Sequence, residues 1–211
     1  MAAEEEKIKD RGVTEVAADI CSGTQSMKPV YRRRKKHAYV ALDDRVEIFS
    51  AAQQKTVKNT RYDIMETSPE DTVVVIVKET QRLKPRTKVK RIKLEEVWLS
   101  VPCNTYCKMG YINGEHQFRV KGDPQRKPIP GTEKGQQVEE ADALAKKALM
   151  IIEYLLRKKA EQLETGVMMV VEGVEVDLRE MEWFLENPDG MLAMQGFMEQ
   201  FKNPHYRILI I

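Results

Sequence analysis

Residues 138–163 read VEEADALAKKALMIIEYLLRKKAEQL, and this stretch decides the fold class. Val138, Ala141, Ala145, Ala148, Ile152, Leu155 and Ala160 recur at three-, four- and five-residue intervals, with Leu149, Ile151 and Leu156 widening the stripe. That period belongs to an amphipathic helix. Gly166 supplies its stop, because glycine takes the left-handed conformation in which helices end. Upstream, residues 122–135 hold Gly122, Pro124, Pro128, Pro130, Gly131 and Gly135, a composition that interrupts regular structure and marks a linker.

The segment before the linker reads as β. Residues 107–121, CKMGYINGEHQFRVK, place Asn113-Gly114 between two alternating arms, the pattern of a hairpin with a type I′ turn. Cys107, Met109, Tyr111, His116, Phe118 and Val120 then share one face, and Lys108, Arg119 and Lys121 lie on the other. Tyr39, Ala41, Val46 and Ile48 alternate around Asp43-Asp44 and predict a second hairpin. Thr72 to Val77 is a β-branched run short enough for a buried strand, and Val97 to Val101 is a further strand stopped by Pro102.

After the long helix, Val167 to Val176 predicts a hairpin around Glu172-Gly173. Asp177 and Glu180 have the spacing of a capping box, predicting a short helix through Trp183 to Glu186. Asn187-Pro188 predicts the start of another helix, and Tyr206 to Ile211 a final strand. The expected fold is therefore α+β: an antiparallel β-rich central part, with a small barrel as one form open to it, followed by a mainly helical part with a short hairpin and a final strand. The divisions are an acidic then basic arm (1–36) with a short helix near Thr14 to Ile20, a basic β-rich domain (37–121), the linker, and an acidic helical part (136–211).

Charge is distributed in blocks. The 211-residue chain has a formal net charge of +2. Residues 1–27 nevertheless carry 3 Lys/Arg against 6 Asp/Glu, residues 28–134 carry 24 against 13, and residues 135–211 carry 8 against 14. Within the basic block, Arg32, Arg33, Arg34, Lys35 and Lys36 stand side by side. Arg82, Lys84, Arg86, Lys88, Lys90, Arg91 and Lys93 follow in twelve positions with no acid. Clustered cations attract polyanions by releasing condensed counterions, so these residues, with Lys108, Arg119 and Lys121, are the expected phosphate contacts of a nucleic-acid-binding protein with little sequence specificity. Tyr106, with Tyr39 as an alternative, is the candidate platform for base stacking. The bland counterparts are a solvated linker for the first run and a lysine-protected edge strand for the second.

The alternative function is structural: a subunit of a viral or other large homo-oligomer whose basic block meets the acidic block of the next copy. DNA and RNA remain equal choices of ligand. Enzymatic activity is not expected, and a metal-dependent nuclease is the minor alternative, with Glu175 and Asp177 as an acidic pair. No catalytic residue, cofactor or metal is assigned. Cys103, Cys107 and His116 resemble zinc ligands, but the hairpin register holds Cys107 and His116 roughly 13 Å apart at ~3.4 Å per residue, too far for one ion.

No apolar run approaches the ~20 residues of a membrane span, so no membrane partner is expected. Residues 1–9 are acidic, without the basic and apolar regions of a secretory signal, and three cysteines make no disulfide framework. A reducing, cytoplasmic setting is expected.

Overall fold

The computed structural model describes residues 12–23, 25, 28, 31, 37–50, 54–85, 88–101 and 129–185. Nine strands and two helices follow one another among them: β1 (Val13–Ile20), β2 (His37–Asp43), β3 (Glu47–Ser50), β4 (Lys55–Lys58), β5 (Thr60–Arg61), α1 (Pro69–Leu83), β6 (Arg91–Leu99), α2 (Glu133–Thr165), β7 (Met169–Val171), β8 (Val174–Asp177) and β9 (Glu182–Leu185). Seven strands form one sheet in the order β5-β2-β1-β6-β8-β7, with β9 joined to β6 beyond β8. β3 and β4 pair with each other.

Strands and helices are mixed in the chain, as the α+β reading expected, but the expected antiparallel pairing of the central strands is corrected. β1 pairs in parallel with both β2 and β6, β2 with β5, and β6 with β8 and β9. Only β7 and β8 pair antiparallel within this sheet, turning at Glu172 and Gly173, both at positive φ. Parallel neighbours need long crossovers, so these pairs join residues far apart in the chain. β1, expected to lie in an arm and to carry a short helix, is instead a central strand. β2 and β3 flank Asp43-Asp44 without pairing to each other, contrary to the hairpin expected there. The capping box at Asp177 is also corrected: Glu182–Leu185 is a strand, and Asp177 accepts bonds from its own neighbour Arg179.

Thr72–Val77, expected to be a strand, lies inside α1. Ser68 caps the helix by accepting the Asp71 N–H at 3.0 Å, Pro69 occupies the first turn, and Glu70 and Asp71 complement the helix dipole there. Val73, Ile76, Val77 and Thr80 then fall on one buried face. Tertiary packing of that face outweighs the modest helix propensity of β-branched residues.

The expected long helix is α2, and it begins five residues before Val138. Thr132 accepts the Gly135 N–H at 2.9 Å, and Gly166 closes the other end at φ 71°. The Ile129 carbonyl approaches Gly135 so closely that a Cβ there would lie 2.1 Å from its oxygen. Glycine in this first turn is thus a steric requirement.

α1 and α2 contribute to the same apolar cluster as one face of the sheet. Val73, Ile76, Ala145, Ala148, Ile152 and Leu155 pack with Val16, Ala18, Ile20, Val40, Leu42, Leu94 and Leu99. Each fully buried aliphatic side chain contributes roughly 1.5–3 kcal/mol. The opposite face carries Glu15, Asp19, His37, Tyr39 and Trp98, with the Trp98 ring stacked on Phe184 at 4.4 Å. A β-bulge between Val16 and Ala17 leaves Glu95 as the extra residue of β6.

Candidate ligand site at the carboxyl ends of the central strands

From β1 the chain steps to β2 and then β5 on one side, and returns through α1 to β6 on the other. β1 and β6 therefore flank a topological switch point. In parallel sheets, connections leaving in opposite directions open a crevice beyond the carboxyl ends of such strands, where ligands bind.

The residues at this end are held by a dense polar network. After Ile20 the backbone takes left-handed turns at Cys21, Gly23 and Gln25, with φ of 60°, 48° and 55°. The Ser22 amide donates to Leu42 O at 3.0 Å, and the Gly23 amide donates to Asp43 Oδ2 at 2.7 Å. Asp43 Oδ1 accepts the Arg45 amide at 3.0 Å. Asn59 ties the loop down: its Oδ1 accepts from Ser22 Oγ and Gln25 Nε2, and its Nδ2 donates to the carbonyls of Gly23 and Arg45. On the β6 side, the Ser100 amide donates to Ile20 O at 2.9 Å and its hydroxyl to Asp19 Oδ1 at 3.0 Å. Asp19, fully buried, also accepts from Tyr39.

This end of the sheet is electronegative. Burial pushes the Cys21 thiol up to about 12, and Asp43, Asp44 and Asp19 push in the same direction, opposed by Arg45. Burial also raises Asp44, as do its side-chain contact with Asp43 and that group's charge. A cation is favoured here and a phosphate is not.

Of the residues expected to touch nucleic acid, Arg32, Arg33, Arg34, Lys35, Lys36, Arg86, Tyr106, Lys108, Arg119 and Lys121 lie outside the described residues, as do the 107–121 hairpin, the helix from Asn187 and the final strand. The six others do not make one surface of free charge. Arg82 donates to Glu79 at 2.8 Å and Arg91 to Glu175 at 2.8 Å, while Lys93 bridges Glu95 and Glu180 at 3.0 and 2.7 Å. Lys84, Lys88 and Lys90 have no carboxylate in ion-pair contact among the described residues. β6 is flanked on both sides, so the edge-strand reading of the second run is corrected.

Tyr39, the alternative stacking platform, is engaged, as are the neighbouring tyrosines. Tyr39 stacks on Tyr31 at 5.4 Å and donates to Asp19, Tyr31 is buried with its hydroxyl on Glu96, and Tyr62 is buried against Thr72. The acidic pair is taken up by arginines, Glu175 by Arg91 and Asp177 by Arg179 at 2.9 Å.

The sequence reading gives Asp43 only a turn and assigns no site role to Asp19, Gly23, Asn59 or Ser100. A signal existed: a β-compatible run ends in Cys21-Ser22-Gly23, and an acid follows Gly23 by 20 residues. The chain matches no family model, no curated protein and no solved structure. Among the described residues no helix is long and apolar enough to cross a membrane.

Proposed function

We propose that the carboxyl end of β1 and β2 binds an adenosyl sulfonium cofactor, S-adenosylmethionine, and that the chain transfers its methyl group to nucleic acid. The observation that carries this reading is the hydrogen bond from the Gly23 amide to Asp43 at the switch point. In nucleotide-binding parallel sheets a glycine turn follows the first strand, and an acid about 20 residues later receives the ribose hydroxyls. Each Asp43 oxygen accepts a backbone amide, Oδ1 also faces Arg45 Nε at 3.5 Å and the carboxyl contacts Asp44, so a ribose hydroxyl would reach Asp43 by displacing the exposed Arg45 or Asp44 side chain.

Two features select among nucleosides. Residues 21–26, CSGTQS, hold one glycine where dinucleotide sites use three, the second to admit a pyrophosphate. Asp19, Asp43 and Asp44 repel phosphate and attract a sulfonium. In the transfer, the methyl carbon leaves sulfur with its bonding pair remaining there as a neutral thioether. The acceptor supplies the new pair and loses a proton to solvent. Nucleic acid as acceptor rests on the Arg32 to Lys36 run of the sequence; Lys84, Lys88 and Lys90 meet no acid among the described residues but stand between the end of α1 and the start of β6, at the opposite end of the strands from the proposed cofactor site.

Isothermal titration with S-adenosylmethionine, S-adenosylhomocysteine, NAD and ATP tests the reading. Binding of the two adenosyl compounds that is lost in Asp43→Asn, with neither phosphate ligand bound, is the expected result, followed by transfer of labelled methyl to DNA or RNA. Preference for NAD or ATP, or no adenosyl binding at millimolar ligand, overturns it.

A further inference from the structure

A second cluster lies toward the amino ends of the same strands. Glu15 of β1 is the register partner of His37 of β2, and the bulge in β6 turns Glu95 toward them. One ligand atom from each of the three lies within 4.8 Å of the other two. The His37 side chain is 10% exposed. Its Nε2 lies 2.8 Å from Glu95 Oε2, while its buried Nδ1 has no hydrogen-bond partner among the described residues and faces Glu15 Oε2 at 3.5 Å.

That second separation is too loose for a good hydrogen bond and right for two ligands of one ion. A zinc ion about 2.1 Å from a histidine nitrogen and a carboxylate oxygen, in tetrahedral geometry, separates them by ~3.4 Å. Glu95 is placed for a different task. Lys93 holds its Oε1 at 3.0 Å. A carboxylate oxygen 2.8 Å from Nε2 accepts its proton there and leaves the Nδ1 lone pair for a metal.

We propose that Glu15 and His37 Nδ1 bind a divalent transition-metal ion, with zinc the best match to a nitrogen and oxygen donor set, and that Glu95 positions the imidazole from the other side. Water completes the coordination. The ion ties β1 to β2 across the polar face of the sheet, and it binds independently of any ligand at the carboxyl ends.

The test is zinc titration of the full chain carrying Cys103→Ser and Cys107→Ser, which removes competing thiolates. One equivalent of Zn²⁺ is expected to bind and to raise the melting temperature, reversibly with chelator. His37→Ala should abolish binding, and Glu15→Gln should weaken it at least tenfold. Glu95→Gln should weaken it roughly tenfold to a hundredfold, the range for lost outer-shell partners. If His37→Ala fails to fold, Glu15→Gln decides, since that side chain is part-exposed and needed for no packing. No binding at about a hundredfold excess of zinc, or binding unchanged in Glu15→Gln, overturns the assignment. So does stabilisation by acid alone with no response to zinc, which would mark His37 as an imidazolium between two carboxylates.

Discussion

The two faces of the central sheet are built from the same strands by opposite means. One face presents Val16, Ala18, Ile20, Val40, Leu42, Leu94 and Leu99 to α1 and α2, and its cohesion is non-directional. The other presents Asp19, Tyr39, Glu96 and Trp98, held by specific hydrogen bonds to one another and to Tyr31 and Ser100 outside the strands: Trp98 Nε1 donates to Tyr31 Oη at 2.8 Å, and Ser100 to Asp19 at 3.0 Å. Along β1 both faces exclude water, since Ala17 and Asp19 are as buried as Val16 and Ile20. Burial alone therefore does not distinguish scaffold from site here. What distinguishes them is whether the buried atoms require partners, and those that do converge on the two candidate ligand sites.

Truncation should expose this difference first. Leu94→Ala, on the apolar face at 1% exposure, is expected to cost about 2–5 kcal/mol in denaturant unfolding, with the cavity adding to lost burial. Asp19→Ala, on the polar face, should cost about 1–3 kcal/mol, because the Tyr39 and Ser100 hydroxyls lose their acceptor. An Asp19 loss as large as that of Leu94 would make the polar face part of the folding core and would break the contrast.

Gln162 carries polar chemistry into the apolar side: its Nε2 donates to Val176 O and its Oε1 accepts the Leu178 amide, both at 2.8 Å. Gln162→Leu keeps the volume and strands both backbone groups, and roughly 1–3 kcal/mol of destabilisation is expected. Ser68→Ala removes the α1 cap for about 1 kcal/mol, measurable as a shift of the urea midpoint without a change in slope. The remaining contrast is read by pH. Cys21 and Tyr62 are both raised to about 12, mainly by burial, from 9.0 and 10.0. The folded state keeps these protons after the unfolded state has lost them, so stability should fall as pH rises from about 9 toward 12. Cys21→Ser should flatten the lower part of that fall.

What could be read in advance follows from the range over which each signal acts. α2 was legible because its stripe repeats over more than six turns and ends at a glycine whose φ of 71° suits the αL cap. β1 was not, because a central strand buried on both faces loses alternation, and Val16 to Ile20 is buried at every position. α1 was misread because Thr72 to Val77 favours strands locally, although Ser68-Pro69-Glu70-Asp71 already carried a helix start. β6 lost its period at Glu95: Ile92 and Leu94 face the core before the bulge, Val97 and Leu99 after it, and no fixed two-residue repeat covers both halves. The ligand sites were hidden for a related reason. Gly23 and Asp43, or Glu15, His37 and Glu95, become neighbours only through parallel pairings that leave no local trace.

The position of β1 has a cost in time. Its outer neighbour β2 follows soon in the chain, but the register partner of Ile20 on the other side is Leu99. During synthesis at about 5–20 residues per second, that partner reaches the same stage about 4–16 s later. Until then the edge of β1 that β6 will cover stays unpaired, and the apolar side chains of Val16, Ala18 and Ile20 await a helix layer that is completed only with α2. A ribosome that pauses between residues 20 and 99 prolongs the period in which this strand can find the wrong partner.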